Sequence, residues 1–298
     1  MSFTSDIKSE LTKLETPTCC KIAECYGILL FGRAFSEKLI SISTESDEVV
    51  ERITHLLNSC FAVQPHITGG GSKRDHFTVT VEDEIKCTEI LNSLGYFGFA
   101  LGDSVIKTQN IEDECCQMSF VRGAFLACGS VSDPNKEYHA EFPIKNATLT
   151  DEFYELLCEM GLKPKKSLRG QTHIIYFKES ENIEDLLTTI QATNHTLELA
   201  GIKVYKDMRN HYNRISNCEV ANISKTVNAA VSQNSAIEKI KQNGDYEKLS
   251  AELKFAAELR QKNPEASLSE LVQISGNSIT KSGLNHRLNR LVTIAKNL

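Results

Sequence analysis

The chain has 298 residues, of which 41% are hydrophobic and 24% are charged, a composition typical of folded globular proteins and not of disordered or fibrous ones. At roughly 150 residues per domain, this length predicts about two domains. No apolar run reaches about 18 residues, and the N-terminus lacks the basic and apolar segments of a signal peptide, so we expect a cytoplasmic protein without membrane contact.

The formal net charge of −6 is unevenly distributed along the chain. Residues 1–200 contain 18 Lys and Arg against 30 Asp and Glu, whereas residues 201–298 contain 15 against 9. No acidic residue follows Glu270, while Lys281, Arg287, Arg290 and Lys296 do. An acidic body with a basic C-terminal part predicts that only the C-terminal part binds a polyanion.

The first 200 residues contain one unit that occurs twice. The apolar, glycine-centred segment AECYGILLFGRAF (23–35) has a counterpart in SFVRGAFLACGSV (119–131), and both are predicted to be short helices. Each is followed by a β-like stretch, an amphipathic helix, a hairpin and a closing helix. The predicted unit is α-β-α-β-β-α, with room for a further strand, and it covers about residues 20–100 and 117–200.

Two α/β repeats led by such helices resemble the two-repeat LAGLIDADG homing endonuclease fold. The resemblance implies that the leading helices pack along a pseudo-two-fold axis. Small residues would allow their close approach: Gly27, Gly32, Gly123, Ala124, Ala127 and Gly129.

The resemblance also implies an acidic residue near the end of each leading helix, because Mg²⁺ at a phosphodiester needs hard oxygen ligands. Setting Gly27 and Gly123 at the first glycine of the motif puts Gly32 and Cys128 at the acidic positions. Glu24 lies before the motif and Asp133 lies beyond it. We therefore expect a scaffold without nuclease activity, metal or other cofactor.

The ten cysteines show no spacing typical of a metal site. Most lie in apolar segments, as Cys128 and Cys158 do, and they are interpreted as buried free thiols of a reducing compartment. The adjacent pairs Cys19-Cys20 and Cys115-Cys116 could be sensitive to oxidation, although nothing in the sequence requires it.

Two further segments give weak predictions. GGGSK (69–73) lies between two predicted strands and has Ser before Lys, so a hairpin turn is favoured over a phosphate-binding loop. KPKKSLRG (163–170) is interpreted as a basic hairpin tip that is either solvated or in contact with phosphate, since the related endonucleases lay their sheets into the major groove.

Residues 203–245 are predicted to be a linker that begins basic and becomes helical. Lys206, Arg209 and Arg214 in its first part could hold phosphates, or this part could pack against the body. An apolar stripe in residues 220–231 predicts a helix, which Gly244 and Asp245 end.

Three helices are predicted in residues 246–298. Pro264 ends the first, a capping box of Ser267 and Glu270 opens the second, and Gly276 forms the turn before the third. Two short helices joined by a tight turn, the second basic and rich in amides, predict a helix-turn-helix, with a small helical bundle as the alternative. Asparagine can pair with adenine, and arginine with guanine or phosphate. The predicted DNA-binding residues are Lys281, Ser282, Asn285, His286, Arg287, Asn289 and Arg290.

Four separated segments, MSFTSDIKSEL, VRGAFLACGSVSDP, RNHYNRISNCEVAN and the tail from Asn263, are similar in this order to the WhiA family of bacterial sporulation and cell-division transcription regulators. Ser250 stands where relatives often have Pro. The resemblance implies an α+β protein: an inactive, two-repeat LAGLIDADG-like domain in residues 1–202, a linker with a helix in 203–245, and an all-α helix-turn-helix domain in 246–298.

The family resemblance implies a sequence-specific transcriptional regulator of sporulation, cell division and chromosome segregation that binds double-stranded promoter DNA at the nucleoid. The alternative is a metal-dependent homing endonuclease or intron maturase, against which the missing acidic residues speak. A third hypothesis gives the N-terminal domain a protein partner and makes DNA binding secondary.

Overall fold

A computed structural model describes residues 2–69, 76–97 and 105–298 of the chain. It divides into two compact units, Met1–Lys206 and Asp207–Leu298, which are described separately. No helix in the described ranges is long and apolar enough to cross a bilayer.

The N-terminal unit opens with helix α1 (Phe3–Thr12), and two repeats of the same element order follow. The first repeat consists of α2 (Thr18–Leu30), β1 (Ala34–Phe35), β2 (Ile40–Thr44), α3 (Asp47–Phe61), β3 (His66–Thr68), β4 (Phe77–Val81) and α4 (Glu84–Ser93). The second consists of α5 (Glu114–Cys128), β5 (Ser130–Val131), β6 (Ala140–Ile144), α6 (Ala147–Glu159), β7 (Lys165–Arg169), β8 (Thr172–Phe177) and α7 (Ser180–Thr189). The predicted duplication is therefore confirmed.

The leading helices end earlier than the sequence predicted, and this correction accounts for the additional strand of each repeat. The first was expected to continue to Phe35, but α2 ends at Leu30 and the Arg33 amide donates to the Ser41 carbonyl at 2.7 Å. The second was expected to continue to Val131, but α5 ends at Cys128 and β5 pairs with β6. Pairing with the next strand satisfies backbone groups that further helix would have bonded internally.

Each repeat forms an antiparallel four-stranded sheet, with orders β1-β2-β4-β3 and β5-β6-β8-β7. Leading helices α2 and α5 pack against each other in the centre of the unit and are buried over most of their length. Their apolar composition follows from this position, because a helix that is covered on all sides has no polar face. Amphipathic α3 and α6 bury one stripe each, such as Val49, Ile53 and Leu56 in α3.

Two of the small residues predicted at the helix pair lie at its closest approach. A Cβ atom added to Gly27 would lie 2.3 Å from the Phe120 carbonyl oxygen, and one on Gly123 would lie 2.1 Å from the Glu24 carbonyl oxygen. Gly32 instead packs on Ser41 in the sheet, and Gly129 packs on the Phe125 ring. Only glycine fits at the two crossing positions, because a side chain there would meet the backbone of the other helix.

The two units share the long helix α8 (Thr193–Gln242). It begins ten residues before the predicted linker: α7 ends at Thr189, and the chain is helical again from Thr193. It ends as expected, before Gly244, whose φ of +78° is left-handed. Val220, Ile223, Val227 and Val231 of the predicted stripe are exposed.

Candidate nucleic-acid interface

The C-terminal unit contains three short helices packed on the end of α8: α9 (Ala251–Lys262), α10 (Leu268–Ile274) and α11 (Lys281–Lys296). A separate apolar core joins them, formed by Ala236, Ile237, Ile240, Leu253, Ala256, Ala257, Leu271, Ile279, Leu284, Leu288, Leu291 and Ala295. The three predicted helices are confirmed, and their common core fixes the orientation of α11.

Local capping defines where α10 begins and ends. The Glu270 amide donates to Ser267 Oγ at 3.3 Å, and the Ser267 amide donates to Glu270 Oε2 at 2.6 Å, so the predicted capping box is formed. Hydrogen bonds with Ser267 hold the pKa of the Glu270 carboxyl below its usual value, and the bond with the Ser267 backbone has a larger effect than the bond with its side chain. Gly276 and Asn277, at φ +66° and +58°, turn the chain out of the helix.

Helix α11 presents one apolar and one polar face. Thr280 caps its N-terminus by accepting a hydrogen bond from the Gly283 amide at 3.1 Å. Leu284, Leu288, Leu291 and Ala295 are buried against the core. Six of the seven predicted DNA-binding residues share the exposed face: Lys281, Ser282, Asn285, His286, Asn289 and Arg290.

The seventh residue, Arg287, lies at the edge of this face and is half-buried. Its guanidinium Nη2 lies 3.1 Å from Oε2 of Glu252 on α9. Arg290 is exposed and forms no ion pair within the described ranges. Since no acidic residue follows Glu270, the exposed face of α11 carries amides and cations without a carboxylate of its own.

The three cations singled out in the linker have different surroundings on α8. Lys206 is half-buried, its ammonium donates to the Pro134 carbonyl at 2.5 Å and it lies 4.5 Å from the centre of the Tyr138 ring. Arg209 and Arg214 are exposed. Lys206 therefore stabilises the N-terminal unit, while the two arginines are accessible to solvent.

The first of the two LAGLIDADG metal-ligand positions, Gly32, lies in a cleft of about 520 Å³ at the ends of α2 and α5, and the second, Cys128, follows the lining residue Ala127. Gly32 lines this cleft, together with the cations Arg33 and Lys145, and no carboxylate is among the described residues that line it. Burial raises the pKa of the Cys128 thiol to about 12, although nearby Lys8 opposes the shift. A glycine and a neutral thiol are unsuited to Mg²⁺.

The acidic residues closest in sequence to these two positions, Glu24 and Asp133, already accept hydrogen bonds from other side chains. Glu24 is fully buried and accepts hydrogen bonds from Arg52 and Arg122 at 2.8 to 3.0 Å. Asp133 accepts hydrogen bonds from the Asn135 backbone and side chain, which hold its pKa below the usual value. The buried Glu24 cluster joins the two repeats, and it could not be predicted from the sequence because Glu24 and Arg122 are distant in the chain.

The structure changes the interpretation of one of the two weakly predicted segments, KPKKSLRG, and describes only the first residue of the other, GGGSK. KPKKSLRG was interpreted as a hairpin tip, but residues 165–169 form the exposed edge strand β7, whose pairing with β8 continues to Arg169 and Thr172. Its cations face acidic residues: Lys166 lies 2.6 Å from Asp151, and Arg169 lies 3.0 Å from Glu141. In GGGSK only Gly69 lies within the described residues, and β3 and β4 pair on either side as predicted.

The cysteines were expected to be buried, and only some are. Cys20, Cys25, Cys87 and Cys116 are buried, whereas Cys19, Cys115, Cys158 and Cys218 are exposed, and all ten are free thiols. Cys158 lies in an apolar sequence segment but on the outer side of α6, because amphipathic helices direct only one face to the core.

Known proteins with this sequence pattern identify the family. The sequence model of the WhiA LAGLIDADG-like domain family matches residues 117–209, and the sequence model of the WhiA C-terminal HTH domain family matches residues 212–295. The probable cell division protein WhiA of Ruminiclostridium cellulolyticum is 34% identical over 307 residues, covering 100% of this chain and 98% of the relative. The chain belongs to the WhiA family. The probable cell division protein WhiA of Clostridium novyi is 35% identical over 312 residues, with coverage of 100% and 98%.

Solved structures of WhiA proteins have the same fold. The full-length DUF199/WhiA crystal structure from Thermatoga maritima superposes with a TM-score of 0.62 at 24% identity, covering 100% of this chain and 99% of that one. The N-terminal LAGLIDADG domain of DUF199/WhiA gives a TM-score of 0.50 at 20% identity, covering 63% and 90%. The WhiA architecture, a LAGLIDADG-like N-terminal domain and a C-terminal helix-turn-helix domain, is thus present here, and the helix-turn-helix indicates DNA binding.

Proposed function

We propose that this WhiA protein is a sequence-specific transcriptional regulator that reads double-stranded promoter DNA with α11. The observation that carries the proposal is the exposed polar face of this helix. Lys281, Ser282 and Asn285 lie in its first turns, which in helix-turn-helix proteins enter the major groove. Asn285 and Asn289 supply amides for adenine edges, and Arg290 supplies a guanidinium for guanine or phosphate.

The partly buried Arg287 has a different role in this proposal. Its ion pair with Glu252 joins α11 to α9, so its charge is already compensated at the edge of the DNA-binding face. We expect replacement of Arg290 by alanine to weaken DNA binding more than replacement of Arg287. The experiment is selection of bound duplexes from random DNA by the full-length protein, followed by affinity measurements on the selected site. Absence of any enriched sequence contradicts sequence-specific recognition.

Arg209 and Arg214 on α8 are proposed to contact phosphates, while Lys206 is not, because its ammonium is engaged by Pro134 and Tyr138. Each phosphate contact contributes about one to the slope of log affinity against log salt concentration. Alanine at both arginines should therefore reduce the slope by about two, and Lys206→Ala serves as the matched control. Equal slopes for the two variants would refute this assignment.

We further propose that the N-terminal unit has lost nuclease chemistry. Gly32 and Cys128 replace the acidic ligands, and the cleft beside Gly32 contains Arg33 and Lys145, whose charge repels a divalent cation. Incubation of a supercoiled plasmid with the protein and Mg²⁺ or Mn²⁺ should give no specific cut. Metal-dependent cutting at a defined site would instead favour the homing endonuclease alternative.

The names of the relatives give the cellular context of the proposal. Proteins 34% and 35% identical along their whole lengths are named probable cell division proteins WhiA. We therefore propose that the promoters bound by this chain control cell division. Control of sporulation and chromosome segregation, and action in the cytoplasm at the nucleoid, are proposed from the family resemblance of the sequence. Its proposed domains are residues 1–202, 203–245 and 246–298, and a protein partner of the first domain stays a prediction.

A further inference from the structure

Four cysteines from the two repeats converge where the leading helices begin. Cys19 and Cys20 lie in the first turn of α2, and Cys115 and Cys116 occupy the same positions in α5. All four sulfur atoms lie within 4.8 Å of one another. We propose that these cysteines form a zinc site that joins the two repeats.

The distances fit a tetrahedral thiolate site. A zinc–sulfur bond of about 2.3 Å places the sulfurs of a tetrahedral complex about 3.8 Å apart. Cys19 Sγ and Cys20 Sγ are 4.0 Å apart, and every other pair needs to approach by about 1 Å or less, which small side-chain rotations provide. The Cys20 thiol already points to the other repeat, since it donates to the Cys115 carbonyl at 3.6 Å.

The chemistry of the donors selects the metal. Four sulfur ligands in a tetrahedral arrangement are typical of zinc or of an iron–sulfur centre, whereas Mg²⁺ and Ca²⁺ require oxygen ligands. Zinc is favoured because it binds as a single ion and needs neither inorganic sulfide nor a redox partner. Each thiol releases a proton to solvent when its sulfur binds the ion, so four thiolates and Zn²⁺ have a net charge of −2. The N-termini of α2 and α5 carry partial positive charge and stabilise such an anionic complex.

The burial of the four residues suits a structural site with an entry path. Cys20 and Cys116 are buried, while Cys19 and Cys115 are exposed and give an ion access from solvent. A disulfide would use only two of the four thiols and would need an oxidant, whereas zinc uses all four without a redox step. The metal would fasten the N-terminal ends of α2 and α5, at the opposite ends of these helices from Gly32 and Cys128.

This site does not follow from motif spacing, because each half has two adjacent cysteines and the halves lie in different repeats. Its signal is the repeat itself: both cysteine pairs have the same offset from Gly27 and Gly123. A ligand set divided between two helices also explains why the chain has Cys-Cys at corresponding positions of otherwise dissimilar segments.

The test uses the full-length protein, stripped of metal with a chelator and then titrated with ZnCl₂ under reducing conditions. Metal analysis gives the stoichiometry, and CoCl₂ in place of zinc gives the absorption of a tetrahedral cobalt–thiolate complex. Variant C19S/C115S removes two exposed thiols and leaves the core unchanged. Variant C158S/C218S removes two exposed thiols outside the cluster and is the matched control.

We expect the natural chain and C158S/C218S to bind a single zinc ion, to give the cobalt–thiolate absorption and to unfold at a higher temperature with zinc. C19S/C115S should bind zinc at least about 100-fold more weakly and lose both effects. Failure of the natural chain to retain zinc, or equal zinc binding by C19S/C115S and C158S/C218S, would overturn the proposal.

Discussion

Replacement of Glu24 by alanine should strongly destabilise the N-terminal unit. Glu24 and Arg122 are fully buried, and Arg52 is 9% exposed. Four hydrogen bonds between 2.8 and 3.0 Å join the carboxylate to the two guanidinium groups. Without the carboxylate, two buried cations lose their counter-charge and keep only neutral partners such as the Leu14 carbonyl and Gln191.

The expected loss is about 3–5 kcal/mol of the free energy of unfolding, the range for breaking a buried ion pair on one side. For a unit of this size, that corresponds to a fall of roughly 6–20 °C in the unfolding temperature. Because the chain contains no tryptophan, calorimetry of the full-length protein is the suitable assay. Glu51→Ala, at an exposed position of α3, is the control and should change stability by less than about 0.5 kcal/mol.

A triple variant separates the effect of charge from that of packing. Glu24→Leu with methionine at Arg52 and Arg122 replaces the whole cluster by apolar side chains, and it should be more stable than Glu24→Ala. If Glu24→Ala cost less than about 1 kcal/mol, the reasoning from buried charge would be refuted.

Two further predictions concern a helix contact and a helix cap. Gly27→Ala should lower the free energy of unfolding by about 1–3 kcal/mol, because its Cβ would lie 2.3 Å from the Phe120 carbonyl oxygen. Gly201→Ala, whose Cβ would have no atom within 4 Å, should instead stabilise α8 by about 0.5–1 kcal/mol. Equal shifts of the unfolding temperature in the two variants would contradict the close packing at Gly27. Glu270 has a lowered pKa, so its contribution to stability is present above pH 4.5 and lost as the pH falls through the folded-state pKa. Glu270→Gln should therefore flatten the acid dependence of unfolding of the C-terminal unit, and an unchanged pH profile would argue against the capping box.

The parts of the fold that local rules determine were predictable from the sequence. The capping box at Ser267, the turn at Gly276 and the apolar stripe of α11 depend on residues within one helical turn of each other. The repeated order of elements was also visible, since each amphipathic helix and strand has its own periodicity. These features placed six of the seven candidate DNA-binding residues on one exposed face.

The features that the sequence analysis missed depend on contacts between distant segments. A further strand was allowed in each repeat but could not be placed, because β1 and β5 contain two residues each and form only by pairing with β2 and β6. Arg122 lies in an apolar segment, and nothing near it in the chain indicates that it binds Glu24 of the other repeat. The segment KPKKSLRG was interpreted as a hairpin tip that is solvated or in contact with phosphate, because the acidic partners of Lys166 and Arg169, which are Asp151 and Glu141, lie on other elements.

The most direct test of the account is the ratio of dissociation constants for a selected DNA site and a scrambled duplex, measured at one salt concentration. Asn285→Ala with Asn289→Ala should reduce this discrimination by at least about tenfold, because each bidentate amide–adenine pair contributes about 1–3 kcal/mol. Asn297→Ala, an exposed asparagine just beyond the same helix, should leave it unchanged. Discrimination that survives loss of both Asn285 and Asn289 would contradict the assignment of α11 as the helix that reads DNA.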